Sequence, residues 1–173
     1  HHSLLQKRVI ERLKNKDQFQ GVRYELYVTT SFIKAGFDIE FEDESDRASS
    51  HCEFLATHKE TKNKYSVEAK SRHRAGFLGQ KGESQNLSQI KLRIGQLLNG
   101  ALKKQASHTR IVFIDVNMPP EEEKNFEISW FNPLIKIIGQ IEIQQKKENL
   151  SVPAFLFFTN HPYHYIGKDK IDP

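Results

Sequence analysis

The chain has 173 residues, 26 Lys and Arg against 22 Asp and Glu for a formal net charge of +4, and a single cysteine. That length suits one domain over residues 1–173, able to bury a core without disulfides or a structural metal. Cys52 alone excludes an internal disulfide and fits a reducing cytoplasm. No apolar run reaches membrane-spanning length and no leader pattern is visible, while the mild positive charge permits a nucleic-acid partner without demanding one.

In chain order, His1 and His2 read as the remnant of an affinity tag. Leu4, Leu5, Val9 or Ile10, and Leu13 recur at helical spacing and predict a short helix over 3–14. A second helix is expected over 21–35, where Glu25 shares a face with Val22, Thr29 and Phe32. An acid at the border of an apolar stripe points toward the protein body more often than a surface acid does. Gly36 reads as the stop, followed by a strand over 37–41, an acidic loop that includes Asp46, and a strand near 51–57 that carries Glu53. Cys52 shares a strand face with Phe54 and Ala56 and reads as a core thiol rather than a reactive one.

After a turn at 61–64 comes the most informative stretch, Tyr65-Ser66-Val67-Glu68-Ala69-Lys70. A period of two places Ser66, Glu68 and Lys70 on one face and Tyr65, Val67 and Ala69 on the other. Residues 71–84 read as a loop rich in Gly, Arg, Lys and His. Its Gly79-Gln80-Lys81-Gly82 superficially resembles a phosphate loop but lacks the spacing of one. Asn86 or Ser88 then caps a long helix with Leu87, Ile90, Ile94, Leu97, Leu98, Ala101 and Leu102 on its apolar face. It leads to an apolar strand over 110–115, which makes a right-handed strand-helix-strand crossover. Pro119 and Pro120 break the chain. A helical pattern over 126–145 is bent or delayed by Pro133, a strand follows over 154–159, and the tail is aromatic and histidine-rich. His161 and His164 lack a third metal ligand at a recognisable spacing, and Tyr163 or Tyr165 could stack on a nucleobase.

Carboxylates from adjacent strands can hold a divalent metal, and an ammonium beside them can orient a water and offset charge developing on a phosphate. The competing reading of Glu68 and Lys70 is a weak ion pair on a solvated strand. Around them Lys59, Lys62, Lys64, Lys70, Arg72, His73, Arg74 and Lys81 form a basic surround suited to a phosphate polymer, although charge runs are more often solvated faces. Lys91 borders the apolar stripe of its helix and reads either as a phosphate ligand or as a snorkelling surface lysine; Gln89 and Gln96 are alternatives on that helix.

In the order helix acid, strand acid, acid-x-lysine, carried here by Glu25, Glu53 and Glu68-Ala69-Lys70, the chain resembles the PD-(D/E)xK nucleases of the restriction-endonuclease-like fold. The resemblance spans residues 22–115 and departs from the family where Cys52-Glu53 stands in place of Pro-Asp. It implies an α/β fold with a mixed central sheet in the order helix-strand-strand-strand-helix-strand, extended by a fifth strand and flanked by helices. It also implies a magnesium-dependent endonuclease, with manganese as a substitute ion, acting on DNA ahead of RNA. Glu53, Glu68 and the carbonyl of Ala69 would be metal ligands, Glu25 would hold a second metal or its water, and Lys70 would position the attacking water. Arg72, Arg74, Lys81 and Lys91 would bind nucleic acid, with room for a homodimer. The alternatives are a nucleic-acid-binding module of this fold without turnover, a ribonuclease toxin, and an interaction domain with no nucleic-acid role.

Overall fold

The computed structural model describes residues 2–41, 51–74, 87–118, 130–149 and 153–161, with the backbone alone at 2–5 and 87–92. Four helices and five strands follow in the order α1 (His2–Lys14), α2 (Phe19–Lys34), β1 (Phe37–Phe41), β2 (Phe54–His58), β3 (Lys64–Ser71), α3 (Leu87–Lys103), β4 (Thr109–Asp115), α4 (Phe131–Lys147) and β5 (Ala154–Thr159). The strands form one sheet in sequence order. β1, β2 and β3 are an antiparallel meander, and β4 and β5 add in parallel after helical connections. The expected mixed α/β sheet is therefore present, with α1 and α2 ahead of it.

The residues explain each element. Gly36, at φ +87°, occupies a left-handed conformation that stops α2 and turns the chain into β1. The hairpin between β2 and β3 closes through Lys62 N–H to the His58 carbonyl and His58 N–H to the Asn63 carbonyl. His58 Nδ1 also accepts from the amides of Glu60 and Thr61. Pro133 delays the fourth helix: α4 starts at Phe131, which leaves the proline in the first turn, where its missing N–H breaks no intrahelical bond. β2 starts later than the pattern predicts. His51 makes one isolated bridge to Gln105 and Cys52 lies outside any strand, because the β2–β3 register begins only at Phe54 opposite Val67.

The central strand is buried on both faces. Val67 and Ala69 join Tyr24, Val28 and Phe32 of α2, Phe54 and Ala56 of β2 and Ile111 of β4 in one cluster. Phe32 centres it, meeting Phe37, Phe54 and Phe113 edge-to-face at 5.1, 5.7 and 5.9 Å. On the opposite face Leu98 and Ala101 of α3 pack on Val112 and Ile114 of β4, with Ile138 and Ile141 of α4 and Leu156 and Phe158 of β5 around them. Each fully buried Val, Leu or Phe contributes about 1.5–3 kcal/mol, so the two clusters dominate the folding energy. Glu68 pairs in register with Val112 and Lys70 with Ile114, which places both on the α3 face. Among the described residues no helix is long and apolar enough to cross a membrane.

Candidate functional site

Three of the four candidate residues meet at one point. Lys70 Nζ lies 2.8 Å from Glu53 Oε1 and 2.7 Å from Glu68 Oε1. Strand alternation carries Glu68 and Lys70 to the α3 face. Glu53 reaches them because its amide bonds the Val67 carbonyl at 3.0 Å while Phe54 also pairs with Val67. Two residues thus oppose one, and the resulting local bend turns the Glu53 carboxylate across the end of β2. Glu53 lies just before the strand, not inside it as the sequence pattern suggests.

A second ammonium completes the cluster. Lys104 Nζ sits 3.3 Å from Glu53 Oε1 and 3.0 Å from Glu68 Oε1. Lys104 follows the last residue of α3, and its carbonyl accepts a hydrogen bond from the buried Arg110 guanidinium, which fixes where the lysine projects. Sequence reasoning missed it, although a signal was present: Lys104 falls three residues after Ala101 and seven after Leu97, on the buried face of the helix.

Glu25 arrives from the other side of the sheet. Arg12 of α1 donates to its Oε1 at 2.9 Å, and Glu25, Arg12, Glu53 and Phe54 border the same small cavity of about 50 Å³. Arg12 was also missed; it falls three residues after Val9 on the apolar side of α1.

The electrostatics separate the carboxyl groups. Burial pushes Glu68 up, the Glu53 charge adds to this, and the ammoniums only partly offset it. Burial also raises Glu53, but Lys70 and Lys104 outweigh it and hold that carboxyl below the ordinary glutamate value. Glu25 is raised by burial and by the Glu53 charge, against Arg12. For Lys70, burial favours loss of its proton, yet the two carboxylates win and hold the ammonium charged well above the usual lysine range.

The donor set is all oxygen. Glu68 is 0 % exposed. Its Oε1 lies 2.7 Å from the Lys70 ammonium and 3.0 Å from that of Lys104, while its Oε2 has no hydrogen-bond partner among the described residues. A buried carboxylate oxygen with no hydrogen bond is costly unless a cation or water reaches it. The Ala69 carbonyl points to the β2 side of the strand, beyond the last residue pair with β2. Arg72 N–H bonds β4 and the Val67 carbonyl bonds Glu53, so the even positions of β3 face β4 and the odd ones face β2, which ends at Phe54. These groups fit a hard divalent ion by chemistry. In the arrangement described, the ammoniums supply the positive charge. Among the described residues, no three His, Cys, Asp or Glu side chains are grouped to hold a metal.

The expected nucleic-acid contacts divide differently. Arg72 and Arg74 are buried, at 3 % and 0 % exposure. Arg72 donates Nε to the Val116 carbonyl at 2.8 Å and Nη2 to the Asn117 carbonyl at 2.6 Å. The Arg74 backbone is clamped by the buried Gln20 amide, which donates to its carbonyl at 2.7 Å and accepts from its N–H at 3.0 Å. Asn117, held at φ +48°, donates to both Gln20 and the Arg72 carbonyl. These arginines tie the chain leaving β3 to α2 and β4 in place of presenting charge to solvent. Lys81 lies outside the described residues, as do Asp46, His164, Tyr163, Tyr165 and the side chains of Lys91 and Gln89. Gln96 is exposed. Cys52 is buried, and burial pushes its thiol up.

Compared with family models, with curated proteins and with solved structures, the chain matches none.

Proposed function

We propose that this protein is a restriction-endonuclease-like, metal-dependent nuclease that hydrolyses phosphodiester bonds, DNA ahead of RNA. The observation that carries the reading is the meeting of Glu53, Glu68 and Lys70 within 2.8 Å contacts at the end of β2, with Glu25 beside them. A carboxylate on β3, another at the entry to β2 and a lysine two residues from the first are the parts that phosphodiester hydrolysis needs. Glu53, Glu68 and the Ala69 carbonyl would hold magnesium or manganese, which oxygen-only donors favour over zinc. The ion would supply positive charge to the phosphate and acidify a water. Lys70, kept charged by both carboxylates, would move its ammonium onto the attacking water and the phosphate oxygens as they become more negative. Glu25, raised by burial and poised beside Glu53, would orient a further water.

One observation favours a second reading. Lys104 contacts the same oxygens that an ion would need. In a nucleic-acid-binding module without turnover, two lysines would replace the ion permanently.

Incubation with plasmid, linear DNA, branched DNA and transfer RNA, with magnesium or manganese against chelator, separates the two. Metal-dependent cleavage is expected. Glu53→Gln should lower it, with partial recovery in manganese, which binds a depleted oxygen site more tightly. If calorimetry finds no divalent binding even with nucleic acid present, the module without turnover becomes the better account.

A further inference from the structure

The sheet has two edges, and the sequence treats them differently. β1 carries Asp38 and Glu40, the kind of charge that keeps an edge from pairing with another chain. β5, Ala-Phe-Leu-Phe-Phe-Thr, carries none, and among the described residues no strand pairs with its outer side. The Thr159 carbonyl accepts from the Val116 N–H beyond β4, so the odd positions of β5 bond inward. The N–H and C=O groups of Ala154, Leu156 and Phe158 therefore point outward.

Apolar side chains flank this edge on both faces. On the α2 face Phe155 and Phe157 are 57 % and 47 % exposed, and Phe157 stacks on Phe113 at 4.8 Å. On the other face α4 lies over β4 and β5, with Ile137 turned toward Gly95 of α3. Phe131, Ile135, Gly139 and Ile143 follow at spacings of four and lie about 120–160° around the helix from Ile137, so they turn away from α3 and past β5. The three side chains are more than half exposed, and a side chain at Gly139 would start in open space.

We infer that this edge pairs with the same edge of a second copy of the chain, β5 against β5 antiparallel about a two-fold axis at Leu156, which joins the two five-stranded sheets into one. In that register Leu156 opposes Leu156 and Ala154 opposes Phe158, so the three outward residues of each copy all find partners. The closer pairs between them, without hydrogen bonds, are Phe155 against Phe157 of the second copy, an aromatic pairing that stabilises antiparallel strands. The helices fit the same axis. Ile138 and Ile141 line one cavity with Leu156, which sets Gly139 level with the axis. α4 and its copy then stand about 10 Å apart, twice the spacing of strands and within the range of packed helices, and Gly139 leaves room between them. The three half-exposed phenylalanines alone leave about 300 Å² of apolar surface per copy, over a third of the roughly 800 Å² that each partner of a standard interface buries. Glu68, Val112 and Leu156 are in register, so the pairing sets the two charged clusters on one face of the joined sheet, about 24 Å or five strand spacings apart. With the charged β1 at both remaining edges, assembly stops at two.

Sedimentation of the full chain over a concentration series tests this. A particle of twice the 20.1 kDa chain mass is expected. Phe155→Lys and Phe157→Glu each set a charge against an aromatic ring and should weaken dimerisation at least about tenfold. Both changes in one chain, F155K with F157E, set every lysine opposite a glutamate of the other copy and should recover it. Gly139→Arg should also dissociate the dimer, at an unchanged or raised melting temperature of dilute protein, because a helix interior gains by losing a glycine. Should Phe157→Glu not fold, having lost its stack on Phe113, Phe155→Lys and Gly139→Arg decide. A monomer at every concentration, particles larger than a dimer, or an intact dimer in Phe155→Lys or Gly139→Arg would each overturn the proposal. Dissociated single variants without recovery in the double variant would overturn the register. These measurements contain no nucleic acid or metal, so their outcome is independent of whether the Glu53–Glu68–Lys70 cluster turns over.

Discussion

Lys70 and Arg72 stand two residues apart and are both largely removed from water, yet they bury their charge against opposite kinds of partner. The Lys70 ammonium lies between two carboxylates, while the Arg72 guanidinium is spent on the backbone carbonyls of Val116 and Asn117. The planar arginine fork satisfies fixed carbonyls in a set geometry, and its removal leaves acceptors that nothing else can reach. The lysine is a point charge on a flexible stem and can exchange one anion for another without disturbing the sheet. Of these two neighbouring cations, the one held by carboxylates can exchange its partner, whereas the one held by the backbone maintains the fold.

Substitution of Arg72 should give the largest effect. Arg72→Leu orphans two buried carbonyls and is expected to cost about 4 kcal/mol of stability in urea unfolding, at about 1–3 kcal/mol for each unsatisfied group plus lost packing. A loss below about 1 kcal/mol would erase the distinction drawn between the two cations. Lys70→Ala should do the reverse, with cleavage falling at least about 100-fold, the scale of one transition-state donor. Nucleic-acid affinity should change little, because one lysine among many supplies a small share of phosphate attraction. Parallel loss of affinity and cleavage would make Lys70 an ordinary phosphate contact.

A smaller, pH-dependent effect belongs to Lys104. The ammoniums hold the Glu53 carboxyl below its ordinary value, so folded Glu53 carries fewer protons than unfolded Glu53. Its stabilising contribution is full above the unfolded value near pH 4.3 and is lost as pH falls through the lowered one. Lys104→Met, which removes one ammonium, should therefore reduce stability by about 1–2 kcal/mol at pH 7, and the gap to the wild type should narrow as pH falls through the lowered Glu53 value. A gap unchanged down to pH 3 would mean that Lys104 acts through packing alone. Asp38→Asn breaks the 3.6 Å contact with Lys59 between two exposed side chains and should shift stability by no more than about 0.5 kcal/mol.

Much of the architecture was legible in the sequence because local patterns carried it. The period of two through 65–70 assigned Glu68 and Lys70 to one face, and the apolar run over 110–115 identified a strand buried on both sides. Glu25 was legible through its place beside Val22, Thr29 and Phe32. Arg72 and Arg74, expected among the nucleic-acid contacts, are buried, and the sequence carries no sign of it. Nothing local distinguishes an arginine such as Arg72, which serves backbone carbonyls just beyond β4, from one that faces solvent, since its partners lie 44 and 45 residues away.

By itself the sequence determined the order and type of the elements and which face of β3 carries charge, because side-chain alternation and helical spacing depend only on neighbours in the chain. Tertiary structure alone decided three things: that Lys104 joins Glu53 and Glu68, that Arg12 takes Glu25, and that Ser71, Asp115 and Thr159 end three strands in register. Each depends on where one element stops against another. Those stopping points are set by packing, by the doubled residue opposite Val67 and by the Arg110 contact at the end of α3, none of which has a short-range signature.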